Sequence, residues 1–143
     1  MDGHGRPQRP KAQTLNYHAE MPWFDQEETK EFLQVEEIRA KIVHFRGVLP
    51  PRENSESMAL MAVYYSRMCE RVGKFKAQRD EYFAVLLSGD DNMRIGRAEA
   101  LAAGSEFGYK AKYYEAVAAG YLEIVNSLKK IQDYHEQTAK NHY

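Results

Sequence analysis

Apolar side chains recur along this chain in steps of three and four, the spacing that lines one face of an α-helix. The first stripe is Phe32, Val35, Ile38, Ile42 and Phe45. Asp25 stands where an N-cap is needed, since its carboxylate can accept backbone N–H bonds, and Glu28 three residues on completes a capping-box pattern. Glu27, Glu28 and Glu31 suit the positive end of a helix dipole. Gly47 and the Pro50-Pro51 pair end the stripe, which predicts a helix over about 26–46.

The second stripe is the strongest pattern in the chain: Met58, Met61, Tyr65, Met68, Val72, Phe75, Tyr82 and Leu86, interrupted only by Arg79. Alternating steps of three and four over about four heptads mark a coiled-coil-like seam. Asn54 or Ser55 is expected to cap a helix over about 55–88, roughly 50 Å long at about 1.5 Å per residue. A helix of that length outruns a compact core of this size and needs a partner along it, so the seam is expected to join copies of the chain.

Ser88-Gly89-Asp90-Asp91-Asn92 reads as a loop. A third helical region is expected over about 93–138, its seam carried by Phe107, Lys110, Tyr114, Val117, Tyr121, Ile124, Leu128 and Ile131. Gly104 and Gly108 leave two readings of this region open. Each weakens a helix by about 1 kcal/mol relative to alanine and would interrupt it. Yet Gly96, Ala100, Gly104 and Gly108 recur every fourth residue, a spacing that lets another helix approach closely. No segment carries the period-two alternation of a strand. The fold class expected is all-α, a long-helix hairpin or bundle with coiled-coil-like seams, oligomeric. Residues 1–22, with Gly3, Gly5, Pro7, Pro10 and Pro22, read as a flexible tail made basic by Arg6, Arg9 and Lys11. Residues 23–143 read as a single helical domain.

Composition narrows the partners. With 43% hydrophobic residues the chain is too apolar for wholesale disorder, and a net charge of −1 advertises no global attraction to nucleic acid or membrane. The ten tyrosines suit half-buried helix faces and interfaces, being large and apolar with a polar tip. Cys69, the single cysteine, allows no intramolecular disulfide and is read as a packing residue on its helix. The N-terminus lacks the apolar stretch of a secretory leader, and no run approaches the roughly 20 apolar residues that span a bilayer. A cytoplasmic protein with no membrane partner is expected.

Several chemistries find no motif. A carboxylate-bridged di-iron site needs Glu-x-x-His on two helices, but Leu15, Lys41, Gln132 and Ala139 stand three residues before His18, His44, His135 and His142. His-Glu-x-x-His and the phosphate-binding Gly-x-x-x-x-Gly-Lys-Ser/Thr loop are missing too, as is a nucleophile elbow. No catalytic residue, metal ligand or cofactor is assigned, and the chain is not expected to be an enzyme.

Local charge points elsewhere. Between residues 67 and 79 stand Arg67, Arg71, Lys74, Lys76 and Arg79 against Glu70, with Phe75 among them; Lys110 and Lys112 lie amid Tyr109, Tyr113 and Tyr114. Basic side chains neutralise phosphates and release counterions, and flat rings stack on unpaired bases. The candidate nucleic-acid contacts are Arg71, Lys74, Lys76, Arg79, Lys110 and Lys112, with Tyr109 and Tyr113 as stacking rings. A solvated helix face with its tyrosines in the core is the plainer reading of the same residues.

At Lys76-Ala77-Gln78-Arg79-Asp80-Glu81-Tyr82-Phe83, followed by Ser88-Gly89-Asp90-Asp91, the chain resembles the UvsY family of phage recombination mediators over roughly residues 55–140. The family's pattern has a Lys-Ala-Arg element on a long helix, then paired aromatics, an acidic Ser-Gly loop and a long C-terminal helical region. The resemblance implies a helical ring that holds single-stranded DNA and helps load a RecA-like recombinase, with Lys76 and Arg79 contacting DNA. Here Gln78 is inserted before the arginine, which turns Arg79 by about 100° on the helix. The function expected is therefore a homo-oligomeric, single-stranded-DNA-binding recombination mediator. The alternative is a helical protein–protein module, an inhibitor or assembly factor, that uses its seams and acidic first helix without nucleic acid.

Overall fold

A computed structural model describes residues 23–141, which form four helices: α1 (Gln26–His44), α2 (Pro51–Gly89), α3 (Ile95–Ala103) and α4 (Glu106–Asn141). There is no strand among the described residues, and the all-α class follows. The segment expected to be a basic tail, residues 1–22, lies outside the described residues.

The long helices run side by side as an antiparallel pair. Asn54 near the start of α2 donates from Nδ2 to the Leu128 carbonyl of α4 at 3.1 Å, Phe75 stacks on Tyr114 midway, and Tyr82 meets Phe107 beyond. α1 lies in the groove between them, antiparallel to α2. Its first turn meets Tyr114 and Arg71, and Leu49 beyond its end accepts from His135 Nε2 at 2.6 Å. Phe32, Val35 and Ile38 of α1 close a core with Met61, Met68 and Val72 of α2 and Tyr114, Val117, Tyr121, Ile124 and Leu128 of α4. Fully burying each such side chain contributes about 1.5–3 kcal/mol.

The seam expected to join copies of the chain finds its partner at home. Met61, Met68 and Val72 are buried, and Met58, Tyr65 and Phe75 pack against the same cluster, opposite the seam of α4. α2 is the continuous rod the spacing predicts, 39 residues without a break. Only its distal arm lacks this cover. From Lys76 to Gly89 no α2 residue is fully buried, and Tyr82 and Leu86 are half-exposed there.

Three local expectations need correction. α2 begins at Pro51, four residues before the expected start near 55, because proline's fixed φ and missing N–H suit a first helical position. Asn54, expected as a cap, is an interior residue with no exposure that ties α2 to α4. Cys69 is exposed, not packed.

The end of α1 is closed by a Schellman arrangement. Arg46 N–H donates to Val43 O at 3.0 Å and Gly47 N–H to Ile42 O at 2.8 Å. Arg46 takes the left-handed position itself, at φ 54°, where a side chain costs about 1 kcal/mol. Arg46→Gly is expected to stabilise the fold by up to about 1 kcal/mol, read as a higher urea midpoint with unchanged slope.

The third helical region is two helices, and each glycine reading captures one glycine. Gly104 caps α3, its N–H donating to Ala100 O at 3.0 Å while the Ser105 N–H donates to Ala102 O at 3.2 Å, and interrupts the region. Gly108 is a close contact: a Cβ there would stand 2.2 Å from Ala103 O.

Candidate functional site

The structure divides the eight candidate nucleic-acid residues among five surroundings. Lys74 of α2 and Lys110 of α4 converge on Phe75, their ammonium groups 5.7 Å and 5.4 Å from its ring centroid. At that range a cation is drawn to the ring's negative face. Lys110 also pairs with Glu106 at 3.0 Å. Two residues past Lys74, Lys76 leaves α2 about 200° around the helix and pairs with Glu115 across the hairpin at 2.7 Å.

Arg79 stands apart from these lysines. It lines a cleft of about 340 Å³ between α2 and α3 with Asp80, Phe83, Glu99, Ala102 and Ala103, and its guanidinium bonds Asp80 at 3.2 Å. Tyr109 and Lys112, neighbours at i and i+3 on α4, are exposed. Arg71 and Tyr113 lie inward, under α1.

Arg71 belongs to a polar network that the sequence reading did not assemble. Its Nη1 donates to Glu31 Oε2 at 2.8 Å, and its Nε stands 3.9 Å from Glu28 Oε2. Arg67 approaches the other Glu31 oxygen at 3.5 Å. The Glu31 side chain is only 4% exposed, so its charge depends on these two guanidiniums. The Tyr114 hydroxyl contacts both Glu28 and the Trp23 carbonyl, and Tyr64 donates to Gln34. The signal was in the sequence: Arg67 and Arg71 at i and i+4 on α2 complement Glu28 and Glu31 at i and i+3 on α1.

Burial governs how this network titrates. It pushes the Tyr113 hydroxyl up to about 12, the nearby Glu28 charge adding to the effect, and raises Tyr114 and Tyr121 further. It also lifts the Glu28 carboxyl, with the Tyr114 hydroxyl and Arg71 pulling the other way. Burial disfavours the Arg71 cation, but the Glu31 carboxylate more than offsets this and its proton is held tighter than usual.

Aromatic rings link the network to the lysine surface. Tyr114 stacks on Phe24 at 5.6 Å and on Phe75 at 5.1 Å, and Trp23 meets Tyr113 edge-on at 5.1 Å. The surface around Phe75 thus combines a half-buried aromatic base with cations from two helices. It can hold a polyanion, and it shows no acid–base–nucleophile arrangement. Among the described residues no group of three His, Cys, Asp or Glu side chains is placed to hold a metal ion, and no helix is long and apolar enough to cross a membrane.

No protein-family model, curated protein or solved structure matches this chain.

Proposed function

We propose that this chain is a non-catalytic helical protein that binds single-stranded DNA on the surface around Phe75 and acts, as a homo-oligomer, in loading a RecA-like recombinase. The observation that carries this reading is the convergence of Lys74 and Lys110, 36 positions apart in sequence, on one aromatic ring. Such a pairing offers charge for phosphates beside ring surface for bases. Away from this ring, Lys76 and Arg79 each stand beside an acid that a phosphate would displace. On α4, Lys112 adds an exposed cation and Tyr109 an exposed ring. Arg71 and Tyr113 take no part in contacting DNA, since both are held under α1. The resemblance of residues 76–91 to the UvsY family supports the same assignment.

The test is fluorescence anisotropy of labelled single strands across a salt series. Binding is expected to weaken steeply with salt. Lys74→Ala with Lys110→Ala should lower affinity at least tenfold and flatten the log–log salt slope by about 1.4, at about 0.7 per lost phosphate contact. Absence of binding at low salt, or an affinity indifferent to the double substitution, would remove the proposal.

A second reading, a protein–protein module, is favoured by the distal arm. On α2 Val85 is 58% exposed, and Phe83 and Leu87 on the other side of the helix are half-exposed; Ile95 at the start of α3 is 63% exposed, so apolar side chains here are open to a partner. Stoichiometric capture of one protein partner by a chain without DNA affinity would select it.

A further inference from the structure

The Tyr114 hydroxyl oxygen lies 2.7 Å from the Trp23 carbonyl oxygen and 2.8 Å from Glu28 Oε2. A phenol has one proton, and a backbone carbonyl can only accept. If Glu28 were ionised, both neighbours would be acceptors competing for that proton, and one short oxygen–oxygen contact would lack a full hydrogen bond. A neutral carboxyl resolves this. It donates its proton to the Tyr114 oxygen, which donates its own to Trp23.

We propose that Glu28 is a neutral glutamic acid in the folded protein, and that its proton closes a clasp holding the Trp23-Phe24 segment onto Tyr113 and Tyr114. When the carboxyl ionises the clasp loosens. This device stands on the Glu28–Tyr114–Trp23 geometry and does not depend on DNA binding.

The groups facing Glu28 fall on both sides of the balance. At the start of α1, Asp25 accepts the Glu28 N–H at 2.8 Å and its negative charge favours the neutral acid; Glu31, one turn on, is paired with Arg71. On α2, Arg71 favours ionisation, but at 3.9 Å it is too far to hydrogen-bond Glu28, and its 2.8 Å bond goes to Glu31. On α4, Tyr113 and Tyr114 are buried phenols with raised proton affinity. The Glu28 side chain is 13% exposed, and its desolvation is the largest influence. The folded state therefore holds this proton more tightly than the unfolded chain does. The clasp's contribution is complete below the ordinary glutamate value of 4.5 and is lost as pH rises through the elevated folded value.

Trp23 is the chain's single tryptophan, so its emission reports the clasp directly. In the full chain, emission is expected to shift to the red in one proton step as pH rises from the acid side, with far-UV circular dichroism unchanged. Glu28→Gln, whose amide can donate to the Tyr114 oxygen at every pH, should abolish the step and keep the blue emission. The histidines remain in that variant, so loss of the step assigns it to Glu28. At neutral pH the urea midpoint of Glu28→Gln should equal or exceed that of the parent. A parent without the step, or a Glu28→Gln midpoint below the parent's, as expected for a carboxylate held by Arg71, would overturn the proposal.

Discussion

Arg71→Ala is expected to destabilise the bundle by about 3–5 kcal/mol, the usual cost of removing one partner from a buried ion pair. The side chain is 21% exposed and the Glu31 carboxylate opposite is 4% exposed. Without Arg71, Glu31 keeps only Arg67, at 3.5 Å and 58% exposed, where water screens the charge. With native stabilities commonly 5–15 kcal/mol, the loss is a large share of the total and should appear as a much lower urea midpoint. Lys74→Ala, three residues on at an exposed position, should stay within about 0.5 kcal/mol. Glu31→Leu with Arg71→Leu should recover most of the stability, because the penalty lies in the orphaned charge more than in the lost attraction. An Arg71→Ala midpoint close to that of Lys74→Ala would show that solvent already screens the pair. The contrast also separates the two roles of the basic run: Arg71 supports the fold, whereas Lys74 with Lys110 should affect nucleic acid alone.

Why sequence patterning assigned Arg71 to the surface is instructive. A run of basic residues on a helix gives the phase of each side chain but not what lies across from it. The acids of α1 were equally visible in the sequence, yet joining the two stripes requires knowing that α1 lies antiparallel against α2. The same gap explains the seam. Spacing from Met58 to Leu86 establishes a continuous helix with one apolar edge and leaves open whether its partner is another chain or another part of this one. The matching seam from Tyr114 to Ile131 was present, and a turn through α3 brings it back against α2. Helix existence was legible because periodicity is a property of each segment alone. The start at Pro51 and the interior place of Asn54 were less so, since a residue suited to capping can serve equally well as a buried cross-link between helices. The convergence of Lys74 and Lys110 on Phe75 is a product of folding and has no local signature.

The glycines make the same point with a measurable sign. Gly108→Ala is expected to cost about 3 kcal/mol, at the upper end of what overpacking incurs, and to lower the melting temperature by about 10 °C. The new Cβ would stand 2.2 Å from Ala103 O and 2.6 Å from Ala102 O. Both are backbone atoms, so no rotamer change relieves the contact, and the α3–α4 junction must open. Ser105 shares this junction, its hydroxyl donating to Ala102 O at 2.6 Å and accepting from the Gly108 N–H at 3.3 Å. Opening it therefore also loosens those hydrogen bonds. Gly73→Ala should do the reverse. Gly73 lies inside α2 with nothing within 4 Å of its would-be Cβ, and alanine there should stabilise by about 1 kcal/mol through helix propensity. Thermal melts of the two variants beside the parent decide the matter. If Gly108→Ala melts with the parent, the tight junction between α3 and α4 is not the feature that sets the turn, and the return of α4 along α2 would have to be fixed by the Tyr114–Phe75 contact and the core below it.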